Sequence, residues 1–364
     1  MNASCLRLIL DSVIFDLQRT GGISRYWYNL VDGLLKLGAA ERLDLLIDTE
    51  TANLWGSKLL ESNSVNDSRV VIRPVRANGL SRYLSPTIRP DRAMRPTIFH
   101  SSYYRAHAAS TNIVTVHDFI YEKKVGGLRA AVHSWQKRSA LARAAQIICI
   151  SAATQKDLFE IYPALDSNNV HVIHHGIEPV FSRGEANGGN SAEVLFVGER
   201  GGYKNFPMLV DALRTSDLKL CIVGRSLSTT ERTLLESALP GRFRLVSGVR
   251  DEQLAEIYRS AFALVYPSTY EGFGMPLLEA MACGCPVIAM SCSSIPEVAG
   301  NAAILLHDFS ARALSDALNG LQHNRELRMR LRELGCARAS HFSWDRCVRE
   351  HLAVYERALA MARD

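Results

Sequence analysis

The chain has 364 residues, 47% of them apolar and 22% charged, with a formal net charge of +5. That length exceeds one ordinary domain of roughly 100–200 residues, so two are expected, and the composition is that of a globular protein rather than a disordered or collagen-like one. No apolar run approaches the roughly 20 residues that span a bilayer, and Arg7 and Asp11 interrupt the first apolar stretch where a secretion signal needs it unbroken, so the expected location is the cytoplasm.

Short β-branched runs alternate with longer stretches of helical period, the pattern of α/β domains with parallel sheets. In the first half, strands are expected at Leu6–Leu10, Leu43–Asp48, Val70–Pro74, Thr97–His100, Ile113–Val116, Gln146–Ile150 and Val170–His174. Between the first two, apolar residues at 23, 26, 27, 30, 34 and 37 step by three and four and predict a helix with one buried stripe. TGGISRY (20–26) sets Gly21 and Gly22 at a strand-to-helix turn, where free backbone N–H groups receive anions. Residues 1–182 carry 21 Lys+Arg against 16 Asp+Glu, and the remainder is balanced. Eight arginines lie between Arg69 and Arg105 against one acid, Asp91. Such a stripe attracts anionic lipid, a phosphorylated substrate or nucleic acid, or is simply a solvated loop; it lacks the aromatic residues on which bases stack, which disfavours nucleic acid. In VTVHDFIYE, His117 follows a strand, at the end that faces ligands in doubly wound domains.

RGEANGGNSA (183–192) is polar and glycine-rich and reads as a linker. A second series of strands follows at Glu193–Val197, Leu218–Val223, Phe243–Val246, Ala263–Tyr266, Pro286–Ala289 and Ala303–Leu306, with helices including Asp251–Ser260 and Pro276–Ala282, then helical stretches at 310–340 and 344–362. Three segments of this half carry candidate chemistry. VLFVGERGGYKNFPMLVDAL (194–213) is strand, glycine turn and helix, with Arg200 and Lys204 in the turn. GVRDEQLAEIYRSA (248–261) opens a helix just after Val249 and Arg250. STYEGFGMPLLEAMACGCPVI (268–288) holds Glu271 and Glu279 with seven residues between them. There Gly272 and Gly274 allow close backbone approach, Pro276 suits a first helical turn, and N–H groups near Gly274 and Met275 would face a bound anion. Cys283, Cys285 and Cys292 lack the paired spacing of a zinc site, and the eight cysteines read as buried packing in a reducing compartment.

The Glu-x₇-Glu segment, the following GCPVI and SSIPEVAG (293–300) resemble the donor domain of glycosyltransferase family 4, and the likeness extends over nearly the whole chain. The resemblance implies a retaining enzyme of the GT-B type: two Rossmann-like α/β domains facing across a cleft, an acceptor domain at 1–184 and a nucleotide-sugar donor domain at 191–343, with the helix after FSWD (342–345) returning to the first. By the same likeness, Arg200 and Lys204 grip the donor diphosphate with Gly274, Met275 and Gly22, while Glu279 holds the ribose and Val249 and Arg250 meet the base. Glu271 positions the sugar, His117 lies beside it, Gly21, Gly22 and Arg25 face the acceptor, and His174 and His175 mark the domain crossover. No Asp-x-Asp motif occurs, and no metal or cofactor is expected, because cationic side chains stabilise the leaving phosphate. GERGGYKNF most resembles mannosyltransferases of surface-polysaccharide assembly, which implies GDP-mannose as donor; the alternatives are a UDP-sugar-dependent glucosyl or hexosyl transferase of the same family and a non-catalytic sugar-nucleotide-binding protein. The implied acceptor is a glycan or lipid-linked saccharide, with the arginine stripe making peripheral contact with an anionic inner membrane.

Overall fold

The computed structural model describes residues 6–18, 21–49, 54–75, 86, 97–184 and 192–362. They form two units, one made by the chain up to Gly176 together with the stretch from Trp344 onward, the other by Ile177–Ser343.

The first unit is built on a seven-stranded sheet: β1 (Arg7–Asp11), β2 (Arg42–Ile47), β3 (Val70–Pro74), β4 (Ile98–Ser101), β5 (Thr111–Val116), β6 (Ala144–Cys149) and β7 (Val170–Val172). Its order is β3-β2-β1-β4-β5-β6-β7, and every pairing is parallel. The order reverses between β1 and β4, where Leu8 pairs with Leu43 on one side and Ile98 on the other. The helix Gly22–Lys36 covers the sheet through Tyr26, Trp27, Leu30, Val31 and Leu34, all buried. Leu37, assigned by its spacing to the same stripe, is exposed because the helix ends at Lys36 and Gly38 turns left-handed at φ +58°. The final helix, Trp344–Met361, joins this same core through Cys347, Val348, Tyr355 and Leu359. It approaches closely at Gly33, where a Cβ would lie 2.5 Å from Val348 Cγ2.

The second unit repeats the plan with β8 (Glu193–Val197), β9 (Lys219–Val223), β10 (Phe243–Val246), β11 (Ala263–Tyr266), β12 (Val287–Met290) and β13 (Ile304–Leu306). Its order is β10-β9-β8-β11-β12-β13, again all parallel, so the reversal falls between β8 and β11. In doubly wound sheets ligands bind outside the carboxyl ends of the strands at such a reversal.

The units change over at Gly176/Ile177, ahead of the 183–192 segment read as a linker and of the boundaries placed at 184 and 191. The physical reason is that the chain is already anchored there: Arg259 donates to Val180 O (2.9 Å) and Ser182 O (2.7 Å), and buried Phe181 packs edge-on against Tyr258. Residues 185–191 of that segment lie outside the described residues. So do Arg76, Arg82, Arg89, Arg92 and Arg95 of the basic stripe. The three described arginines of the stripe each face a carboxylate: Arg69 pairs with Asp67, Arg73 with Asp44, and buried Arg105 with Asp11 at 3.1 Å. Among the described residues no helix is long and apolar enough to cross a membrane, and the seven cysteines form no disulfide.

Candidate active site

Two loops at the β8/β11 reversal bring together residues 67 positions apart. After β8 the chain turns through Gly198, at φ +118°, into a short helical turn, Gly202–Lys204. After β11 it passes through Glu271 to Gly274, whose φ of +102° caps the helix Met275–Ala282. Lys204 Nζ donates to Glu271 Oε1 at 2.6 Å and lies 3.4 Å from the Tyr266 hydroxyl. Both side chains retain slight exposure, 15% and 10%, so solvent or a ligand can reach the pair. Tyr266 is fully buried beside Glu271, and burial pushes its hydroxyl well above the ordinary phenol range, so it stays a donor. The loop itself is pinned by SSIPEVAG: Ser293 Oγ accepts from Glu271 N (2.7 Å), and Ser294 Oγ bonds the carbonyls of Glu271 and Phe273 (3.0 Å each).

Glu279, in the helix that opens at Met275, is buried and accepts from Tyr258 Oη at 2.9 Å. Pro276, at its second position, carries no N–H, and the N–H groups of Leu277 and Leu278 donate to Gly274 O (3.0 and 3.3 Å), which leaves the Met275 N–H as the first-turn donor directed beyond the helix. Arg200 is held elsewhere than Lys204. Its Nε donates to Glu231 Oε1 (2.8 Å), and its Nη2 donates to the carbonyls of Arg225 and Ser226 (3.0 and 2.8 Å). Its Nη1 is buried with no hydrogen-bond partner among the described residues. Burial works to raise the Glu231 carboxyl, but hydrogen bonds from Arg200 and Ser228 outweigh it and hold it at about 2. Space for this guanidinium comes from Gly224, where a Cβ would stand 2.7 Å from Gly198 O and 3.1 Å from Arg200 Nη1. Gly224→Ala is therefore expected to destabilise the second unit by about 1–3 kcal/mol, as overpacking does, measured by denaturant melts. Val249 is half-buried and Arg250 exposed; Arg250 caps the helix Asp251–Ser260, its N–H donating to Gln253 Oε1 at 3.0 Å.

In the first unit His117 follows β5 directly and is buried, with neither ring nitrogen hydrogen-bonded among the described residues. Burial first, then the charge of Lys137, pull its pKa down to about 3. Its loop is fixed by Lys137, which donates to Asp118 O (2.7 Å) and pairs with Glu122 (2.9 Å). The ring meets Tyr26 edge-on at 5.2 Å, while His175 stacks on Tyr26 at 4.9 Å. Gly21 caps the helix Gly22–Lys36. Gly22 faces open space, so room rather than packing is what its missing side chain provides. Arg25 lies over the Trp55 ring at 5.4 Å.

Behind His117 a chain of hydrogen bonds runs in one direction. The Cys347 carbonyl can only accept, so His351 Nδ1 carries the proton (2.7 Å) and His351 Nε2 accepts from Tyr26 Oη (2.7 Å). Tyr26 then accepts from the Thr115 hydroxyl (3.0 Å), Thr115 from His100 Nε2 (2.9 Å), and His100 Nδ1 from Tyr355 Oη (2.7 Å). Every ring in the chain is neutral, and every polar atom named has a partner.

Reading the sequence alone missed Tyr266, Tyr258 and Glu231. Tyr266 ends a buried strand and Tyr258 a helical stripe, so both read as packing; the Ser228-x-x-Glu231 spacing is a capping-box signal, and the box is formed.

This architecture, two parallel-sheet α/β units, is that of the GT-B glycosyltransferases. Residues 180–337 match the family described as glycosyl transferases group 1 and residues 20–181 that described as glycosyltransferase family 4, and the chain belongs to these glycosyltransferases. It is 30% identical over 265 residues to alpha-maltose-1-phosphate synthase of Mycolicibacterium smegmatis, covering 63% of this chain and 67% of that one. It is 40% identical over 119 residues to O-antigen chain mannosyltransferase B of Escherichia coli, a match spanning 32% of this chain and 30% of that one. Among solved structures, sucrose-phosphate synthase from Thermosynechococcus elongatus superposes with a TM-score of 0.77 at 20% identity, over 98% of this chain and all of that one, a likeness of fold.

Proposed function

We propose that the chain is a retaining, metal-independent mannosyltransferase that moves mannose from GDP-mannose to a glycan or lipid-linked saccharide in surface-polysaccharide assembly. The observation that carries this reading is the Lys204–Glu271 pair at the β8/β11 reversal, beside a helix N-terminus. In transfer, the bond from the anomeric carbon to the diphosphate oxygen breaks and a bond to the acceptor oxygen forms on the same face. The acceptor proton passes to the departing phosphate. Negative charge grows on that phosphate, and a fixed cation with oriented N–H donors lowers the barrier. Lys204 supplies the cation, exchanging Glu271 for the diphosphate, and Glu271 is freed to hold sugar hydroxyls. Glu279 receives the ribose hydroxyls. The two unpaired nitrogens of His117 suit a hydroxyl-bearing ligand, and their low pKa makes the ring a hydrogen-bonding group rather than an acid. The mannosyl assignment draws on the similarity to the E. coli mannosyltransferase.

A thermal-shift series run with and without EDTA tests donor and metal together, since a ligand that binds only the folded state raises the melting temperature. A rise with GDP or GDP-mannose is the expected result. A rise with UDP or UDP-glucose alone reassigns the donor. A rise that EDTA abolishes overturns metal independence, and no rise with any nucleotide overturns the reading.

A further inference from the structure

We propose that Tyr266 is a positioning residue of the donor site, its hydroxyl seating Lys204 and Glu271 while donor phosphate comes between them; the proposal rests on the reading of that pair given above. Lys204 belongs to the short turn Gly202–Lys204 and Glu271 to the loop after β11, whereas Tyr266 ends β11 itself. That strand runs between β8 and β12, where Tyr266 pairs with Ala289. The ring is 2% exposed and fills the space beside Gly274, where a Cβ would lie 3.8 Å from Tyr266 Cε1. A group on a central strand holds a geometry more closely than groups on loops do.

A phenol hydroxyl has one proton to give and lone pairs with which to accept. Tyr266 Oη accepts from Lys204 Nζ at 3.4 Å and hydrogen-bonds the Glu271 side chain, so one hydroxyl serves both members of the pair. The ammonium also lies 5.1 Å from the centroid of the Tyr203 ring and 5.3 Å from that of Tyr266, within the reach of cation–π attraction. The Tyr203 carbonyl accepts from Thr269 N at 2.7 Å, which ties the turn to the loop after β11. An ammonium has three donors. Glu271 takes one at 2.6 Å and Tyr266 a second, and the third has no acceptor among the described residues. A phosphate oxygen can take that third N–H while Tyr266 keeps the second. The neutrality of the hydroxyl decides the matter: Glu271 cancels the charge of Lys204, and Tyr266 does not. Once sugar hydroxyls draw Glu271 off, the phosphate meets a whole positive charge at a fixed point, and such preorganisation lowers the barrier.

Tyr266→Phe tests this in the full chain, because it removes the hydroxyl and keeps the ring. With a donor that the wild type uses, kcat is expected to fall about tenfold, the low end of what a hydrogen bond to a charged group contributes. Donor KM should stay within about twofold, since the loss falls on the transition state. A second measurement needs no substrate. In denaturant melts of the nucleotide-free protein, Tyr266→Phe is expected to lower the midpoint of the wild type. It should not lower that of the Lys204→Ala/Glu271→Ala double variant, where the hydroxyl has lost both partners. A wild-type kcat in Tyr266→Phe overturns the proposal. So does a rise in donor KM that accounts for the whole loss, or an equal drop in midpoint in both backgrounds, which would make the hydroxyl merely structural. A wild-type rate in Lys204→Ala, with the melts as expected, would bring down the phosphate reading of Lys204 and leave Tyr266 standing as the seat of the pair.

Discussion

Lys204→Ala is expected to lower the rate of sugar transfer by about 10²–10³-fold, the usual cost of removing one preorganised group aimed at transition-state charge. The expectation follows from the position of Lys204 at the β8/β11 reversal, 2.6 Å from Glu271 and beside the Tyr266 hydroxyl. Because phosphate charge develops during bond breaking, kcat and kcat/KM should fall together. Steady-state kinetics with a donor that the wild type uses would read this directly, alongside a melt to verify folding. A rate unchanged by the substitution would remove Lys204 from the phosphate site. A rise in KM alone would assign it to ground-state binding.

The second large effect is on stability in mild acid. His100, His117, His175 and His351 are fully buried, and burial is the largest cause holding each below the ordinary value of 6.5, His351 at about 4 and His117 at about 3. Below pH 6.5 the unfolded chain protonates them and the folded chain does not. The unfolded state then binds more protons, so stability falls as the pH falls. Each histidine contributes up to about 1.4 kcal/mol per pH unit, and the four together approach about 5 kcal/mol per pH unit. The contribution is fully present above pH 6.5 and is lost down to about pH 4, where His351 begins to protonate in place. Denaturant melts between pH 7 and 4.5 should show this slope, and His117→Asn should reduce it by one histidine's share. A flat profile would refute it.

The thirteen strands among the described residues were legible in the sequence to within a residue or two, because strands of a parallel sheet, the central ones buried on both faces, read as short apolar runs between turn signals. The helix Leu128–Leu141 was not singled out, and its burial explains why. It buries Gln136 and Lys137 while leaving Leu128 and Trp135 exposed, so its apolar period does not mark its inner face. Candidate-site residues stood out in the sequence where a local motif holds them, as with Glu271, Gly274 and Glu279. Their partners were not. Lys204 meets Glu271, and Arg200 meets Glu231, only because strand order sets distant loops side by side, and order is not written in any one segment. The resemblance supplied roles for Arg200 and Lys204 together; the structure gives them different carboxylates.

The hydrogen-bond chain from Tyr355 to the Cys347 carbonyl has a consequence for biosynthesis. Both of its ends belong to the final helix, and its middle, His100, Thr115 and Tyr26, belongs to strands and a helix from the first third of the chain. Domains leaving the ribosome ordinarily fold in order, the earliest first. Here the earliest cannot close: until residues 344–361 emerge, His100 lacks Tyr355 and Tyr26 lacks His351, and the apolar face of the helix Gly22–Lys36 lacks its cover. The unit formed by Ile177–Ser343 needs nothing later in the chain and can finish first. The nascent first unit must therefore wait, half-covered, through the synthesis of the entire second, the interval in which a holding chaperone would matter most.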